Sequence, residues 1–310
     1  MQITMLAIVV LIGVISARSG VLTIHSKDML SKVIFNISLP LMLFTNFLKL
    51  DATPKLIINS FIVLSVSGFV ILFMLFAGWI GTRIFGIKGR EAAVFKAHSM
   101  FGNTIFLGFP LITALYGVEG LLYASMYQLV STIIMWTAGV VVLTHGNGAT
   151  WRKSIKRVLN PNTIATMTGL LFFIFSIKLP AVVLKPLSEL GAANTWLSML
   201  YIGAMLVLTD VRGLLGKKSI YILSLNRLII VPLILICIFA VFSVTTGLAP
   251  DQLVSSVIIL EASMPCMASI VIMAKELGAD DHLAVGNVFV STIISIITLP
   301  GVLLAINWLL

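Results

Sequence analysis

The chain has 310 residues, of which 59% are hydrophobic and only 10% are charged, with a formal net charge of +9. Soluble domains are typically about 45–50% apolar and about 25% charged, so this composition excludes a soluble globular enzyme, a disordered chain and a small disulfide scaffold. The excess of Lys and Arg indicates the positive-inside rule of a polytopic membrane protein rather than a nucleic-acid partner.

Apolar runs separated by charged residues, glycines and prolines predict ten transmembrane spans. In chain order, spans one to ten are 3–17, 29–48, 57–82, 92–117, 121–144, 162–178, 191–209, 219–247, 253–274 and 284–309. The connections between these spans are too short to hold a soluble domain. The sequence therefore predicts an all-α polytopic protein that crosses the plasma membrane or the bacterial inner membrane ten times.

Lys and Arg are distributed unevenly between the two sides of the membrane that these spans define. Of the 20 residues, four lie in the loops after even-numbered spans and one lies inside span eight, namely Lys49, Lys55, Lys178, Lys185 and Arg227. The other 15 lie in the loops after odd-numbered spans or in the first residues of the following span. Because cytoplasmic loops carry the excess of positive charge, both termini are predicted to lie outside.

An internal repeat relates the two halves of the chain. The sequence Val-Ser-Thr-Ile-Ile occurs at 130–134 and again at 290–294, and the short span one matches the short span six. The predicted repeats are residues 1–150 and residues 151–310. Each holds five spans, an odd number, so the second repeat must be inverted relative to the first. Inverted repeats are typical of secondary transporters, which bind their substrate near the membrane midplane between the repeats.

Spans four and nine are predicted to be broken near the middle of the membrane. Gly102-Asn103 lies at the midpoint of span four, and Pro265 lies at the midpoint of span nine. Glycine and proline weaken a helix, and unwound backbone at this depth is tolerated only inside protein or beside a wet cavity. Because polar residues adjoin both breaks at matching repeat positions, a functional break is favoured over an ordinary kink. Ordinary kinks are the interpretation at Pro40, Pro232 and Pro300.

Several short motifs resemble those of the auxin efflux carrier family. They are Ile37-Ser38-Leu39-Pro40, Asn103-Thr104 followed by Gly108 and Pro110, Asn160-Pro161-Asn162-Thr163, and Met264-Pro265 followed by Ala274-Lys275-Glu276. The likeness covers nearly the whole chain in order. The loop at 145–160 is short, so the likeness is to the prokaryotic, short-loop type, which includes malonate and malate permeases, and auxin itself becomes a doubtful substrate.

The resemblance implies a specific architecture. Helices one, two, six and seven would form a scaffold, and helices three to five and eight to ten would form an elevator-like transport domain. The broken helices four and nine would cross within that transport domain. A homodimer through helices two and seven is implied in the same way.

Two ionisable residues lie inside spans, where a buried charge is costly and usually functional. Glu261 lies one helical turn before Pro265. It could ligate Na⁺, carry a proton, or be a protonated carboxyl that hydrogen-bonds a neighbouring helix. Arg227 lies about a third of the way into span eight. It could bind a substrate carboxylate, pair with Glu261, or extend to the membrane surface.

Other polar residues complete the predicted substrate or ion pathway. Gln128, Ser131 and Asn287 face either the transport cavity or a neighbouring helix, to which they would hydrogen-bond. His98 and Lys96 are interpreted as interfacial residues. The nine predicted pathway residues are Asn103, Thr104, Pro110, Gln128, Ser131, Arg227, Glu261, Pro265 and Asn287.

The sequence carries no catalytic, phosphate-binding or dinucleotide-binding motif, which predicts a protein that is not an enzyme and binds no organic cofactor or structural metal. The favoured function is secondary active transport of small organic anions, namely mono- or dicarboxylates, with auxin-like acids among the candidates. Na⁺ or H⁺ would be the coupling ion. One alternative is a Na⁺-coupled carrier like the bile-acid/sodium symporters. Another is a membrane sensor that binds its ligand without moving it.

Overall fold

The structure is a computed structural model that describes residues 2–144, 154–211, 213–246 and 251–310, and within these residues it is all-helical. Most of the described chain lies in eleven helices. They are α1 Gln2–Arg18, α2 Ile24–Leu48, α3 Pro54–Ile84, α4 Gly89–Met100, α5 Thr104–Leu143, α6 Pro161–Ile174, α7 Ala181–Leu208, α8 Lys218–Thr246, α9 Gln252–Ala262, α10 Ser269–Leu277 and α11 Asp281–Leu309. A short 3₁₀ turn, Ile155–Val158, precedes α6.

Among the described helices, six are long and apolar enough to cross a bilayer: α2, α3, α5, α7, α8 and α11. Helices α1, α6 and α9 are apolar but shorter, as the brief predicted spans one and six had indicated. The predicted spans four and nine are each divided into two helices by a break, so neither forms one long helix. Helix α5 is itself kinked at Gly117, whose backbone angles (φ 63°, ψ −147°) are not helical, so its two parts correspond to the second half of span four and to span five. An all-helical fold with several long apolar helices is therefore confirmed, and the count of ten crossings stays a prediction.

Some sequence predictions fall outside the described residues. They concern the repeat boundary at 150/151, most of the loop at 145–160, the end of span eight at 247, and the loop cations Arg152, Lys153 and Arg212.

Three prolines inside the long helices are each preceded by a turn of π-helix. The π-helical segments Ile34–Ser38, Thr104–Gly108 and Asn226–Ile230 end two residues before Pro40, Pro110 and Pro232. Proline cannot donate to the carbonyl four residues earlier, and its ring crowds that carbonyl, so a locally wider helix relieves both problems. The helix therefore continues through each of these prolines instead of ending there.

Large apolar side chains are exposed along the long helices, as expected where lipid rather than water is the solvent. Phe69 on α3 is 74% exposed and Ile297 on α11 is 79% exposed. At the end of α3, the guanidinium of Arg83 lies 5.1 Å from the centre of the Trp79 ring. Trp and Arg in this arrangement are typical of a membrane–water interface.

The described chain folds into two compact units. Unit 1 consists of residues 1–62, 105–129 and 159–209, and unit 2 consists of residues 63–104, 130–158 and 210–310. Each unit takes segments from both predicted repeats. The chain passes between the units within α3, at the start of α5, within α5, before α6 and after α7.

Unit 1 is held together by close approaches of helix backbones. Helices α1 and α7 meet at Gly13 and Gly203, where an added Cβ would lie 2.4 Å from the Leu200 carbonyl oxygen and 2.1 Å from the Val10 carbonyl oxygen, respectively. Helix α2 joins α7 through the Ser38 hydroxyl, which donates to Asn194 Oδ1 over 3.1 Å. Small residues of this kind allow van der Waals packing between membrane helices.

The motif Asn160-Pro161-Asn162-Thr163 has a local structural role at the start of α6. The Asn160 side chain accepts hydrogen bonds from the backbone N–H groups of Asn162 and Thr163 at 3.0 and 3.2 Å. Pro161 occupies the first helical position, where its missing N–H costs nothing. Asn160 and Pro161 therefore act as a helix N-cap, which does not account for the Asn162 side chain: its Oδ1 and Nδ2 are buried and have no hydrogen-bond partner among the described residues.

Candidate functional site

The two predicted helix breaks lie side by side in unit 2 and pair with each other. Gly102 and Cys266 form an antiparallel bridge. The Asn103 N–H donates to the Pro265 carbonyl over 2.7 Å, and the Met267 N–H donates to the Phe101 carbonyl over 3.2 Å. Each break thus satisfies backbone groups of the other, which unwound backbone buried in a membrane protein requires.

Four helix ends meet the paired breaks. Helices α4 and α9 end there, at Met100 and Ala262, and α5 and α10 begin there, at Thr104 and Ser269. The carbonyl ends of helices carry partial negative charge and the N–H ends carry partial positive charge. The breaks therefore bring both kinds of helix end into the interior of a membrane protein.

Arg227 binds the carbonyl end of α4 and the break that follows α9. Its Nε donates to the Met264 carbonyl over 2.6 Å, and its Nη1 donates to the carbonyls of His98 and Ser99 over 2.7 and 2.6 Å. The side chain is 1% exposed. It does not extend to the membrane surface, and it brings a positive charge to the breaks.

Gly102 is required by this arrangement. A Cβ at this position would lie 2.3 Å from Arg227 Nη2 and 3.1 Å from the Met264 carbonyl oxygen. Any side chain would displace the guanidinium or the paired backbone. The glycine predicted to break span four therefore also makes room for a cation from span eight.

His98 is fully buried and connects α4, on which it lies, to the break after α9 and to α11. Its Nε2 lies 3.2 Å from the Met267 carbonyl, and its Nδ1 lies 3.2 Å from Asn287 Nδ2 on α11. Since a carbonyl only accepts, Nε2 carries the proton, and Nδ1 accepts from the Asn287 amide. His98 is therefore a neutral connector, and its prediction as an interfacial residue is wrong.

Glu261 lies in the last turn of α9 and is 0% exposed. Within the described residues, neither of its carboxyl oxygens has a hydrogen-bond partner, and no ion pair joins it to Arg227. The alternatives in which Glu261 pairs with Arg227 or hydrogen-bonds to a neighbouring helix are therefore not what the structure contains. The carboxyl must be neutral or have a cation beside it, because a bare buried carboxylate is prohibitively costly.

The remaining predicted pathway residues are distributed over both units. Thr104 and Ser131 are buried in unit 2, at 1% and 3% exposure. Gln128 and Pro110 belong to unit 1. Pro110 lines a cavity of about 350 Å³ inside unit 1, together with Thr45, Asn46, Lys49, Thr113 and Trp196. The structure therefore brings Asn103, Pro265, Arg227 and Asn287 into one hydrogen-bonded assembly and leaves Pro110 at a different cavity.

Two residues of this assembly were not predicted as members of the pathway. The Ser291 hydroxyl accepts a hydrogen bond from the Cys266 N–H over 2.9 Å, and His98 connects Met267 to Asn287. Ser291 could have been predicted from the sequence, because it occupies the position in the second repeat that Ser131, a predicted pathway residue, occupies in the first. Nothing in the sequence places His98 against α11.

Comparison with known proteins identifies relatives along most of the chain. A family model described as "Membrane transport protein" matches residues 1–152 and, a second time, residues 149–303. The two matches divide the chain within a few residues of the predicted repeat boundary.

Two curated relatives have similar lengths. One is an uncharacterized transporter of Methanothermobacter thermautotrophicus, 27% identical over 299 residues that cover 94% of this chain and 93% of the relative. The other is an uncharacterized transporter of Methanocaldococcus jannaschii, 24% identical over 302 residues that cover 94% of each chain.

Proposed function

Because the chain belongs to the auxin efflux carrier family of membrane transport proteins, we propose that it is a secondary active transporter of small organic anions. It is a multi-pass membrane protein of a transporter family, not an enzyme. The proposed substrates are mono- or dicarboxylates, which would move by alternating access driven by an ion gradient.

The pair of broken helices in unit 2 is the observation that carries this proposal. The N-terminal turns of α5 and α10 start at the breaks, and their N–H groups and dipoles favour a bound carboxylate. Asn103 and Thr104 lie at the first of these N-termini and are 2% and 1% exposed. In this proposal their side chains contact the carboxylate of the substrate.

Arg227 has an indirect role in the proposal. Its Nε and Nη1 are occupied by three backbone carbonyls, so two of its donor groups already serve the protein. The guanidinium neutralises the negative ends of α4 and α9 and adds positive charge near the proposed anion site. This supports an anion over a cation as the substrate.

The division into compact units supports an elevator mechanism. In the proposal, spans three to five and eight to ten, which supply all of unit 2, carry the bound anion, and spans one, two, six and seven of unit 1 form the scaffold. Residues 105–129, from spans four and five, cluster with unit 1. The buried acidic and basic side chains of the described residues, His98, Arg227 and Glu261, all belong to unit 2. A unit that holds its own charged groups in its interior can keep its internal contacts while it moves.

Accumulation of radiolabelled acids by proteoliposomes tests the proposed function. A panel of mono- and dicarboxylates would be offered under a pH gradient, a Na⁺ gradient and no gradient. We expect at least one acid to accumulate above its external concentration under one of the gradients. A protein that binds an acid, as shown by a raised melting temperature, but never accumulates it would be a sensor and not a carrier.

A further inference from the structure

The carboxyl group of Glu261 is the buried ionisable group that the proposed anion site does not use. It lies in the last turn of α9, four residues before Pro265, with 0% exposure. The described residues give neither oxygen a hydrogen bond or an ion pair. Such a carboxyl group inside a membrane protein is expensive to ionise and indicates function.

The surroundings of Glu261 contain few groups that could neutralise it directly. Helices α8 and α11 pack against α9. Their titratable and charged groups are Lys218, Tyr221, Arg227 and Cys237 on α8 and Asp281 and His282 on α11, while the break contributes Cys266 and, through α4, His98. None of them forms a hydrogen bond or ion pair with Glu261 in the part of the chain that the structure describes.

The two candidate cations have different requirements. Na⁺ binding requires several oxygen ligands, by extension from the rules for Ca²⁺ and Mg²⁺. Clusters of three or more His, Cys, Asp or Glu suited to a metal are absent from the described residues. A proton needs only the carboxyl group itself.

We propose that Glu261 binds the proton that is co-transported with the organic anion, an inference that rests on the proposed function. In the compact state of unit 2, Glu261 is a neutral carboxylic acid. A hydronium ion transfers one proton to a carboxylate oxygen and leaves water, with no change in oxidation state. When water reaches the breaks, the carboxylate becomes hydrated and releases the proton.

The coupling follows from the cost of an unpaired charge. Unit 2 with an ionised Glu261 in a dry interior would carry a bare carboxylate, so movement in that state is disfavoured. Movement with the proton and the anion bound is favoured. The anion should therefore accumulate on the alkaline side of a membrane.

Transport would be measured with full-length protein in proteoliposomes and [¹⁴C]malonate as the probe. The interior is alkaline, Na⁺ is absent, and valinomycin with K⁺ holds the membrane potential at zero. Liposomes without protein correct for diffusion of the undissociated acid. We expect wild type to accumulate malonate and Glu261→Gln to bring it only to equilibrium. Glu189→Gln, which changes an exposed glutamate on α7, should behave as wild type.

A second measurement does not depend on the substrate. Melting curves of wild type and Glu261→Gln would be recorded from pH 4 to pH 9. At the acid end the two proteins should melt nearly alike, because Glu261 is neutral in folded wild type and glutamate is mostly protonated in the unfolded chain as well. As the pH rises, wild type should lose stability relative to the variant, by up to about tenfold in the folding equilibrium constant for each pH unit.

The outcomes separate the two proposals. Parallel melting curves, accumulation by Glu261→Gln under the pH gradient, or accumulation driven by Na⁺ at equal pH would overturn the proton assignment and leave the proposed function standing. Diverging melting curves without accumulation of any acid by wild type would overturn the proposed function and the coupling that rests on it. Proton binding by Glu261 would then remain as a separate property.

Discussion

The two units of the molecule use opposite means to keep their helices together. In unit 1, neutral contacts dominate the interior, such as Gly13 and Gly203 between α1 and α7. One of its several cations, Lys178, is half-exposed, donates to the carbonyls of Leu48 and Leu50 and pairs with Asp51. In unit 2, a cation lies in the centre: Arg227 binds three carbonyls and is 1% exposed.

This difference shows which part of the protein tolerates the free-energy cost of a buried charge and of interrupted helices. Broken helices leave carbonyls without their helical hydrogen bonds. In unit 2, Arg227 and the pairing of the two breaks provide hydrogen bonds to such carbonyls. An unbroken pair such as α1 and α7 has no such requirement. This contrast supports the proposed roles of unit 2, which would carry the anion, and of unit 1, which would hold the scaffold helices.

The largest loss of stability is expected when Arg227 is removed, and it is compared with the removal of Lys178, a cation that binds carbonyls in unit 1. Arg227→Met leaves three buried carbonyls without this donor, and each unsatisfied group costs about 1–3 kcal/mol, so the variant should lose at least about 3 kcal/mol of stability. Lys178→Met removes a half-exposed cation and should cost less than about 1 kcal/mol. Melting temperatures of the two variants check this. Equal losses would contradict the contrast between the units.

A smaller effect is expected where glycine is replaced by alanine. Gly203→Ala drives a methyl group against the Val10 carbonyl, which belongs to rigid backbone, and should cost about 1–3 kcal/mol. Gly102→Ala meets chiefly the end of the Arg227 side chain, which can shift, so stability should fall less. Uptake should nevertheless fall, because the methyl group meets Nη2 and shifts the charge of the guanidinium at the breaks, even while Nε and Nη1 keep their carbonyl partners. Full uptake by Gly102→Ala would show that the position of Arg227 does not matter for transport.

The third prediction concerns two buried asparagines. The Asn103 backbone N–H holds the Pro265 carbonyl and survives truncation, so Asn103→Ala should change stability by less than about 1 kcal/mol and abolish uptake. Asn46→Ala in unit 1 removes the side-chain donor to the Val118 carbonyl over 3.1 Å. It should lower the melting temperature and leave uptake by the folded fraction intact. A poorly folded Asn103→Ala would mean that this side chain is structural.

The fourth prediction concerns topology and involves no change in stability. Ala52 and Phe85 flank α3, which is 31 residues long and crosses between the units. In a Cys237→Ser background, a cysteine at position 52 should react with an impermeant maleimide from outside only, and a cysteine at position 85 from the cytoplasm only. The native Cys266 is buried. Reversed labelling would overturn the orientation, and labelling from one side would mean that α3 does not span.

The sequence was sufficient to locate the breaks because their causes are local. Gly102 and Pro265 lie inside otherwise apolar runs, and glycine and proline weaken a helix wherever they occur. The structure interrupts the helices at residues 101–103 and 263–268, as predicted. By contrast, Pro40 and Pro232 act through π-helical turns, a response that the sequence did not specify.

The partners of the buried charges were beyond sequence reasoning because they are decided by tertiary packing. Arg227 lies 128 residues from the Ser99 carbonyl and 37 residues from the Met264 carbonyl. Its partners are backbone groups, which every residue has, so no side-chain pattern marks them. His98 could not be assigned for the same reason. The pairing of Arg227 with Glu261, considered from composition alone, assumed that opposite charges in neighbouring spans must meet.

The most direct test of an anion site at the broken helices is a comparison of ligand-induced stabilisation in the two units. An acid that raises the melting temperature of wild type would be tested on Asn103→Ala and on Asn46→Ala, whose side chain lines the unit 1 cavity. At about 100 times its dissociation constant, a ligand adds about 2.7 kcal/mol of stability. We predict that Asn46→Ala retains this gain and Asn103→Ala loses it. The reverse result would place the anion in the cavity of unit 1 and contradict the account.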